Sequence, residues 1–538
     1  PEKDGYFGIS LNQAYDFLKS QNLKSKTVVV AVIDSGVDTL HEDLKEILWH
    51  NPGEIPGNGI DDDHNGYVDD VFGWNFLGNK DGKNVEKDSY EAARVYHGLK
   101  SKYEGKDIDT SHMNQDEKWE YDMWVAAKKS VLGEDEDGGE QVDLVMLTRA
   151  YMGAKKSDSI LQSGMSKQVF SGAELDSFIP KDQMERTAKA TLLYLMKANK
   201  MMELTNKEFM DGFNEYVSMQ QSKAESKEKA PPPYRAEVTG DDENDINDRN
   251  YGNNNVMVSE TACEHGTHVS GIIAASRNNG KGVKGIADNV RIMMVRAVPD
   301  GDEHDKDIAL AIRYAVDNGA KIINMSFGKA FSPHKKWIDE AVQYADSKGV
   351  LLVHAAGNEH KNVDVSPNFP NPDFLASGDT AKNWITVGAS ASGDPKGDGI
   401  TASFSNYGKV GVDVFAPGVK IYSTFPGNNN NVYRSLDGTS MASPVVAGTA
   451  ALLLSYFPYL TPEQLKYCIE KGTESPGVKV KEPGTDDMVD LSELCRTGGV
   501  INAYESAKVA ASLNLDQPKE KHKKKKKRSR PSLKNNKG

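Results

Sequence analysis

The sequence predicts an α/β fold in three layers, with a mainly parallel sheet flanked by helices and interrupted by an inserted, mostly helical subdomain. Residues 27–33 are a nearly continuous β-branched run, typical of a strand buried on both faces of a parallel sheet. Strand, helix and strand patterns alternate over residues 290–326. Between about 80 and 235 the composition shifts to Lys, Glu, Met and Ala, which favours helices.

The first strand run ends at Asp34, and a later one, Leu351–Ala355, is followed by Asn358. The carboxyl ends of parallel strands form the edge where open α/β sheets place their sites. A carboxylate and a side-chain amide are therefore expected at one edge of the sheet.

The stretch Gly438–Pro444 leads into an apolar run rich in small residues, Val445–Leu454. We interpret the run as a buried helix with Ser440 in its first turn. Pro444 is compatible with a helix only near its start, where a missing backbone N–H costs little. The unpaired N–H groups of that turn would face whatever reacts with Ser440. The alternative is that Ser440 is a plain N-cap.

A third stretch, His265 to Ala275, indicates a loop that enters a helix of small residues, with His265 at its start. His268 follows three residues later, so the pair could suggest a metal site. No third ligand is nearby in sequence, and we expect His268 to pack behind His265 instead.

The blocks VIDSGVD, HGTHVSG, NMSFG, AAGNE and GTSMASP resemble those of the subtilisin-like serine proteases (subtilases, peptidase family S8). The chain order Asp–His–Ser is also that of this family. The resemblance covers roughly residues 1–80 and 250–510. It implies a subtilisin-like fold and a serine endopeptidase acting on protein or peptide substrates.

The resemblance assigns the catalytic roles to Asp34, His265, Ser440 and Asn358. A serine hydroxyl is a poor nucleophile until a base takes its proton, and histidine titrates in the right range. Asp34 would hold the imidazole in the correct tautomer. Asn358 and the backbone N–H of Ser440 would donate to the oxyanion of the tetrahedral intermediate. The alternatives are an inactive relative kept for peptide binding, and a transpeptidase that passes the acyl group to an amine.

The resemblance also implies a substrate-binding set. Its members are Ser326, Phe327 and Gly328, which would run alongside the bound peptide, and Gly357 and Glu359 near the pocket rim. Glu359 would favour a basic side chain. Asn368 stands where many relatives have glycine, which argues against a deep, open specificity pocket.

An aspartate-rich loop at residues 58–70 predicts a structural calcium ion. The expected ligands are Asp61, Asp63, Asn65, the Tyr67 carbonyl and Asp69. Gly66 occupies the sharp turn of such a loop, but Phe72 stands where an EF-hand has its bidentate glutamate, so the loop is not a complete EF-hand. The alternative is a solvated acidic turn. No organic cofactor is expected.

The predicted organisation has four parts. They are residues 1–80 and 236–512 as the two parts of the catalytic domain, 81–235 as the helical insertion, and 513–538 as a basic tail. Asp34 and His265 are 231 positions apart because of the insertion. It is either a surface spacer or a module near the substrate cleft, and we favour the second because both its ends return to active-site elements.

Composition and charge narrow the function classes. The chain has 538 residues, of which 38% are apolar, and a formal net charge of −14. Because residues 519–530 are strongly basic, the net charge of the folded part is more negative than −14. This negative charge argues against general nucleic-acid binding. Three cysteines do not make a disulfide framework. No transmembrane segment is expected. The tail is expected to be disordered, with contact to an anionic surface as the alternative.

The resemblance sets an expectation for location. The family is usually exported with a signal peptide and an inhibitory pro-segment, and neither is found in this sequence. We therefore expect a trimmed or mature form, secreted or held in the cell envelope, from which a pro-segment has been cleaved.

Overall fold

The computed structural model describes residues 8–133, 143–199, 201–202, 204–392, 399–427 and 432–513. Its centre is a seven-stranded sheet in the order β2-β3-β1-β4-β5-β6-β7, in which every neighbouring pair is parallel. The strands are β1 Val28–Asp34, β2 Gly73–Asn75, β3 Val290–Arg296, β4 Ile322–Met325, β5 Leu351–Ala355, β6 Trp384–Ser390 and β7 Val414–Pro417. Two small antiparallel pairs lie outside it: β8 Ile421–Phe425 with β9 Val432–Leu436, and β10 Val480–Lys481 with β11 Met488–Val489.

Helices cover both faces of the sheet, and others form the insertion. In chain order they are α1 Leu11–Ser20, α2 Glu91–Tyr103, α3 Gln115–Leu132, α4 Leu144–Met165, α5 Gly172–Ser177, α6 Gln183–Ala198, α7 Asn206–Glu228, α8 Ala236–Thr239, α9 Glu264–Ala274, α10 Asp305–Asp317, α11 Lys335–Ser347, α12 Thr439–Tyr456, α13 Pro462–Lys471 and α14 Ala503–Leu513.

Strand β1 shows why the fold has three layers. Val30 and Val32 belong to the apolar core that contains α9 and α12, whereas Ala31 and Ile33 belong to a second core with α10 and α11. Successive side chains of a strand point to opposite faces. The nearly continuous apolar run of β1 therefore serves two cores at once, and the predicted α/β fold is confirmed.

Helix α12 is buried along almost all of its 18 residues. Its length and apolar composition would suffice to cross a bilayer, but it packs against β4, β5, β6 and β7 inside the protein. Burial in the centre accounts for its small and apolar residues. Pro444 lies in its second turn, as expected.

The insertion consists of two packed units. In the first, α2 and α3 share an apolar core with Phe331 of the catalytic part. In the second, α4 to α7 enclose a core of their own, which includes Leu161, Phe170 and Leu192. The four-part division of the chain remains a prediction. Residues 134–142 and the basic tail from 514 onward lie outside the described residues.

Buried charges join the first unit to the catalytic part. The Lys329 ammonium contacts Glu91 of α2 at 2.6 Å and Asp305 at 2.9 Å, and it is 1% exposed. Arg94 of α2 donates to the Glu303 carbonyl at 3.2 Å. We call the whole set the junction network: Asp88, Glu91, Arg94, Glu243, Glu303, His304, Asp305 and Lys329.

Candidate active site

Asp34 and His265 form a hydrogen-bonded pair at the carboxyl edge of the sheet. Asp34 is the last residue of β1, and His265 is the second residue of α9. His265 Nδ1 lies 2.8 Å from Asp34 Oδ1, which also accepts the Ser35 N–H at 2.7 Å. Since a carboxylate only accepts, Nδ1 carries the proton and Nε2 is left as a base.

Gly266 permits this close approach of helix and strand. A Cβ there would lie 2.1 Å from the Gly36 carbonyl oxygen and 3.1 Å from Asp34 Oδ1. Any side chain would push α9 away from β1 and lengthen the Asp34–His265 bond. The glycine that follows His265 is therefore part of the geometry of the pair.

The environment of His265 suits a base whose charged form is stabilised. Its side chain is 38% exposed, while that of Asp34 is 2% exposed. Burial lowers the pKa of His265, but the charge of Asp34 and their hydrogen bond outweigh it, so the pKa lies above its usual value. The pair therefore favours the imidazolium that forms when His265 accepts a proton.

Ser440 is the second residue of α12 and reaches the same edge. Its hydroxyl donates to the Ser326 carbonyl at 3.1 Å, and the Ser326 hydroxyl donates to the Ser440 carbonyl at 2.9 Å. Within the described residues, Ser440 and His265 share no hydrogen bond. Proton transfer between them requires the Ser440 hydroxyl to rotate from the Ser326 carbonyl toward His265. Catalytic hydrogen bonds are often long in a free enzyme and shorten when substrate binds.

Asn358 is oriented by Thr439, a residue that the sequence analysis missed. Asn358 Oδ1 accepts the Thr439 N–H and the Thr439 hydroxyl, both at 2.9 Å. The same hydroxyl accepts the Gly357 N–H at 3.1 Å. With its oxygen held, Asn358 presents Nδ2 as a donor, 3.7 Å from where a Cβ of Gly438 would stand. The only sequence signal was the position of Thr439 directly before Ser440.

The segment predicted to flank the substrate, Ser326 to Gly328, follows β4. The Phe327 carbonyl is held by His354 Nε2 at 2.7 Å. A Cβ on Gly328 would lie 2.5 Å from Asn368 Nδ2, and the same nitrogen donates to the Ala356 carbonyl at 3.1 Å. Asn368 thus fills the space between the Gly328 segment and the strand end near Ala356.

Gly357 and Glu359 lie on either side of Asn358. Gly357 has φ +102, and a Cβ on it would stand 2.4 Å from Asn406 Nδ2. That nitrogen donates to Glu359 Oε2 at 2.7 Å. The Glu359 carboxylate is therefore already engaged on one side, which weakens its predicted pull on a basic substrate side chain.

The surroundings of His268 and Cys263 indicate structural roles for both side chains. His268 Nε2 donates to the Arg434 carbonyl at 3.0 Å, and burial lowers the pKa of His268 to about 4. Burial raises the pKa of Cys263 to about 12. Neither residue belongs to a cluster of metal-ligating side chains in the described ranges. His268 is buried and bonded to the backbone, and its packing behind His265 stays a prediction.

The aspartate-rich loop gathers a different carboxylate set from the one predicted. Oxygens of Glu54, Asp63 and Asp70 lie within 4.8 Å of one another. Glu54 Oε2 is buried and has no partner within the described residues. Burial raises the pKa of Asp70 to about 6. These features fit a cation, because a bound ion would satisfy the unpaired oxygen and the crowded charges.

Three of the other predicted ligands, Asp61, Asn65 and Asp69, form hydrogen bonds within the loop. Asp61 accepts the backbone N–H groups of Asn65 and Gly66, at 3.1 and 2.9 Å. Asp69 accepts those of residues 57–59. Asn65 Nδ2 donates to Asp63 and Asp70, and the Tyr67 ring packs on Trp74, Phe76 and Tyr314. Of the five predicted ligands, only Asp63 contributes a carboxylate to the cluster.

The chain is similar in sequence to known proteins of one family. The model of the subtilase family matches residues 25–490. A thermophilic serine proteinase from Bacillus sp. (strain AK1) is 46% identical over 192 residues, 36% of this chain and 42% of that protein. Thermitase from Thermoactinomyces vulgaris is 36% identical over 245 residues, 45% of this chain and 75% of that protein.

Two further matches differ in coverage. The cell wall-associated protease of Bacillus subtilis is 35% identical over 270 residues, 49% of this chain but 27% of that protein. A solved structure of a protease from Pseudoalteromonas arctica covers 46% of this chain and 70% of its own, at 30% identity and a TM-score of 0.36. The chain thus spans less than half the length of some of the relatives it matches.

Proposed function

The chain belongs to the subtilase family, and on that premise we propose that it is a serine endopeptidase that hydrolyses peptide bonds through an acyl-enzyme on Ser440. The observation that carries the proposal is the 2.8 Å bond between His265 Nδ1 and Asp34. It fixes the tautomer and leaves Nε2 unprotonated, which is the form in which it can act as the base for Ser440.

In the proposed mechanism, Ser440 attacks the scissile carbonyl while His265 Nε2 takes its proton. Asp34 stabilises the resulting imidazolium. The oxyanion accepts hydrogen bonds from Asn358 Nδ2 and the Ser440 backbone N–H. His265 then protonates the leaving amine, and a water activated by the same imidazole releases the acyl group from Ser440.

Substitution of the nucleophile tests this reaction. Ser440→Ala should lower kcat by about 10⁶, a magnitude measured for the subtilisin triad itself and transferred here. A fluorophosphonate probe should label the parent protein but not the variant. Ordinary turnover by pure Ser440→Ala protein would contradict the mechanism, and an acyl group passed mainly to added amines would favour the transpeptidase alternative. An unreactive parent protein would favour the peptide-binding relative.

The proposed substrates are proteins and peptides whose side chain at the main pocket is small. The support is Asn368, which occupies the space beside Gly328. Asn368→Gly should open that space and shift cleavage of a peptide library toward large side chains, with kcat/KM for a small side chain changed less. An unchanged library profile would show that Asn368 does not limit the pocket.

We further propose that the Glu54–Asp63–Asp70 cluster binds a structural calcium ion. A ligand that binds only the folded state at 100 times its Kd stabilises it by about 2.7 kcal/mol. Chelation should therefore lower the Tm, and Glu54→Gln or Asp63→Ala should remove the dependence on calcium. An unchanged Tm in excess chelator, with no calcium found by metal analysis, would return the loop to an acidic turn.

The proposed place of action is outside the cytoplasm. One relative is named a cell wall-associated protease. The three cysteines are free and buried, so the fold uses no disulfide among the described residues. Fractionation of the source cells with an antibody should find the protein in the envelope or the medium, and recovery from the cytoplasm alone would contradict this.

A further inference from the structure

A large cavity lies where the insertion meets the catalytic part. Its volume is about 1240 Å³. Its walls are the chain before α2 (residues 87–90), the end of α3, the second half of α7 and the chain that follows it, and Lys361 of the catalytic part. It is therefore formed jointly by the insertion and the protease fold.

Lysines dominate the charge of this cavity. Its walls carry five of them: Lys87, Lys223, Lys227, Lys229 and Lys361. All five are exposed, and none forms an ion pair within the described part of the chain.

Two acids also line the cavity. Asp88 is buried, and its charge is already met by Arg94 and His304. Glu225 is exposed. In a protein of net charge −14, this concentration of unpaired positive charge is unusual and calls for a negatively charged occupant.

Hydrogen bonds connect one wall of the cavity, at Lys361, to the active-site segment after β5. The Lys361 N–H donates to Asn406 Oδ1 at 2.8 Å, and the same oxygen accepts the Glu359 N–H at 3.0 Å. Asn406 in turn donates to the Ala356 carbonyl at 2.9 Å. Lys361 therefore lies three residues beyond Asn358 in a segment that one amide side chain fixes to the end of β5.

The charge of α7 is uneven along its length: residues 206–216 carry one lysine and three acids, whereas residues 217–228 carry two lysines and two glutamates. Burial raises the pKa of Glu264, the neighbour of His265; the charges of Arg434 and Lys207 lower it, and those of Asp211 and Glu215 raise it again. Lys223 and Lys227 of its second half line the cavity. An acidic polypeptide would therefore meet more positive charge in the cavity than along the first half of α7.

We propose that this cavity binds an acidic segment of the substrate and thereby selects polypeptides with Asp or Glu near the scissile bond. The inference rests on the proposed peptidase activity and adds a substrate class to it. Peptide carboxylates supply the acceptors that ammonium groups require, and several like charges around one concave space reinforce each other.

The test uses two peptide amides that share residues around the scissile bond. One carries three glutamates, placed on either the acyl or the leaving-group side, and the other carries three glutamines. At low salt the parent protein should cleave the acidic peptide with about tenfold higher kcat/KM. The advantage should shrink as ionic strength rises, because exposed charges are screened over about 8–10 Å.

Matched double variants separate the cavity from the overall charge. Lys223→Glu with Lys227→Glu should abolish the preference and leave cleavage of the neutral peptide unchanged. Lys155→Glu with Lys156→Glu makes the same change in net charge on exposed positions of α4 that do not line the cavity. This control should keep the preference, and its loss in both double variants would overturn the proposal.

Binding to the Ser440→Ala protein, followed by fluorescence anisotropy, separates this inference from the activity on which it rests. Tighter binding of the labelled acidic peptide, lost in the cavity variant, supports the cavity even if the parent protein cleaves nothing. Equal binding of acidic and neutral peptides overturns it.

The rival occupant is the chain's own acidic stretch, Glu134 to Asp137, which follows Gly133 of the cavity wall in the sequence. To test it, these four residues are replaced by Gln and Asn in the Ser440→Ala protein. The proposal is wrong if two results are found together. The Ser440→Ala protein with its own acidic stretch binds acidic peptide no better than neutral peptide, and the four replacements then tighten binding of the acidic peptide at least tenfold. Those results would show that the stretch fills the cavity. Unchanged preference for the acidic peptide supports the proposal.

Discussion

Two of the places where the molecule buries charge are built differently, the catalytic edge and the junction network. At the catalytic edge, Asp34 keeps one carboxylate oxygen, Oδ2, without a partner in the described part of the chain. His265 is 38% exposed, and the Ser440 hydroxyl is bonded to a backbone carbonyl instead of to the base. His265 can therefore take up a proton, and the Ser440 hydroxyl can exchange its hydrogen-bond partner.

In the junction network, by comparison, most of the charged groups already have their partners. Lys329 is 1% exposed and contacts two carboxylates and the Glu303 carbonyl. Arg94 lies 2.7 Å from Glu91 and also donates to backbone carbonyls. There are two exceptions. The Glu243 side chain is 39% exposed. Glu303 Oε1 has no partner among described residues, and burial raises the pKa of that carboxyl to about 8.

This difference in pairing matches a difference in role: the catalytic edge carries out proton transfer in the proposed mechanism, and the junction network anchors two parts of the chain to each other. A charge that must gain or lose a proton during turnover needs a partner on one side and space on the other, as His265 has. A charge that holds two units together is stable only when every partner is present, because removal of one leaves another buried and unpaired. The catalytic pair should therefore respond to substitution mainly in rate, and the junction network mainly in stability.

The largest effect is expected at the catalytic edge. Asp34→Asn would remove the acceptor that fixes the His265 tautomer, and kcat should fall by about 10⁴, as measured in related triads. Because the side chain keeps its shape, Tm should change by only a few degrees. Kinetics and calorimetry on the same preparation check both parts. A large loss of Tm with a modest loss of kcat would reverse the comparison.

The next largest effect is expected at the junction. Lys329→Met leaves Glu91 and Asp305 buried without their shared cation, and the unfolding free energy should fall by about 3–5 kcal/mol. Denaturant unfolding measures it, with kcat for a small peptide amide largely kept under native conditions.

The matched control is Lys336, which joins the same two parts of the chain through Asp116. That pair is more than half exposed, at 2.7 Å. Lys336→Met should leave stability unchanged within error, because exposed ion pairs contribute little. Similar losses in both variants would show that burial does not distinguish the junction network.

Much of the catalytic edge could be predicted because its residues follow local patterns. Asp34 ends a buried strand, Asn358 follows another, and His265 and Ser440 stand at helix starts in recognisable blocks. Local periodicity placed the elements, and parallel pairing then brought their ends together. Thr439 was missed because its role depends on a contact with Asn358, 81 positions away.

The contacts of the aspartate-rich loop and of the junction could not be predicted in detail for the same reason. A linear ligand pattern selected Asp61 and Asp69, but the folded loop uses their carboxylates to bind its own backbone. Glu54 joins the cluster from outside the pattern. Lys329 and Glu91 are 238 positions apart, and no sequence periodicity links them. Three-dimensional contacts between charged residues carry no signal in a single sequence.

The comparison also predicts opposite trends with pH. Burial lowers the pKa of His304, as does Arg94, but hydrogen bonds to Asp88 and Glu243 raise it above its usual value. The stability that protonated His304 supplies is therefore complete below about pH 6.5 and is lost as pH rises through the raised pKa. His304→Gln should remove this part of the pH dependence, measured by unfolding from pH 5 to 9.

Activity should change in the other direction over the same range. His265 acts as a base only when neutral, and its pKa is also raised. The acidic limb of kcat/KM should therefore have its midpoint above the usual value of about 6.5. Activity would thus rise with pH while the junction weakens. A midpoint below 6.5 would show that Asp34 does not control the base.

The smallest effect is expected when the second unit of the insertion is removed, because α4 to α7 have a core of their own and lie outside the junction network. Replacement of all residues 85–235 would also remove Glu91 and Arg94, and it would leave the buried Lys329 without its contact to Glu91. A cut from 143 to 229 spares them, and its two ends line the same cavity, so a linker of about 12 Gly and Ser residues can join them.

Hydrolysis of a small neutral peptide amide should then stay within about tenfold of the parent, about 1.4 kcal/mol in the barrier. Cleavage of folded proteins should change much more if the removed unit limits access to the cleft. Retained Tm shows that the deletion is well folded and that the junction network still anchors α2. Equal changes on peptide and protein substrates would mean that α4 to α7 do not select by size. A large loss of Tm would mean instead that anchoring is shared between the two units, and the contrast between a closed junction and an independent outer bundle would fail.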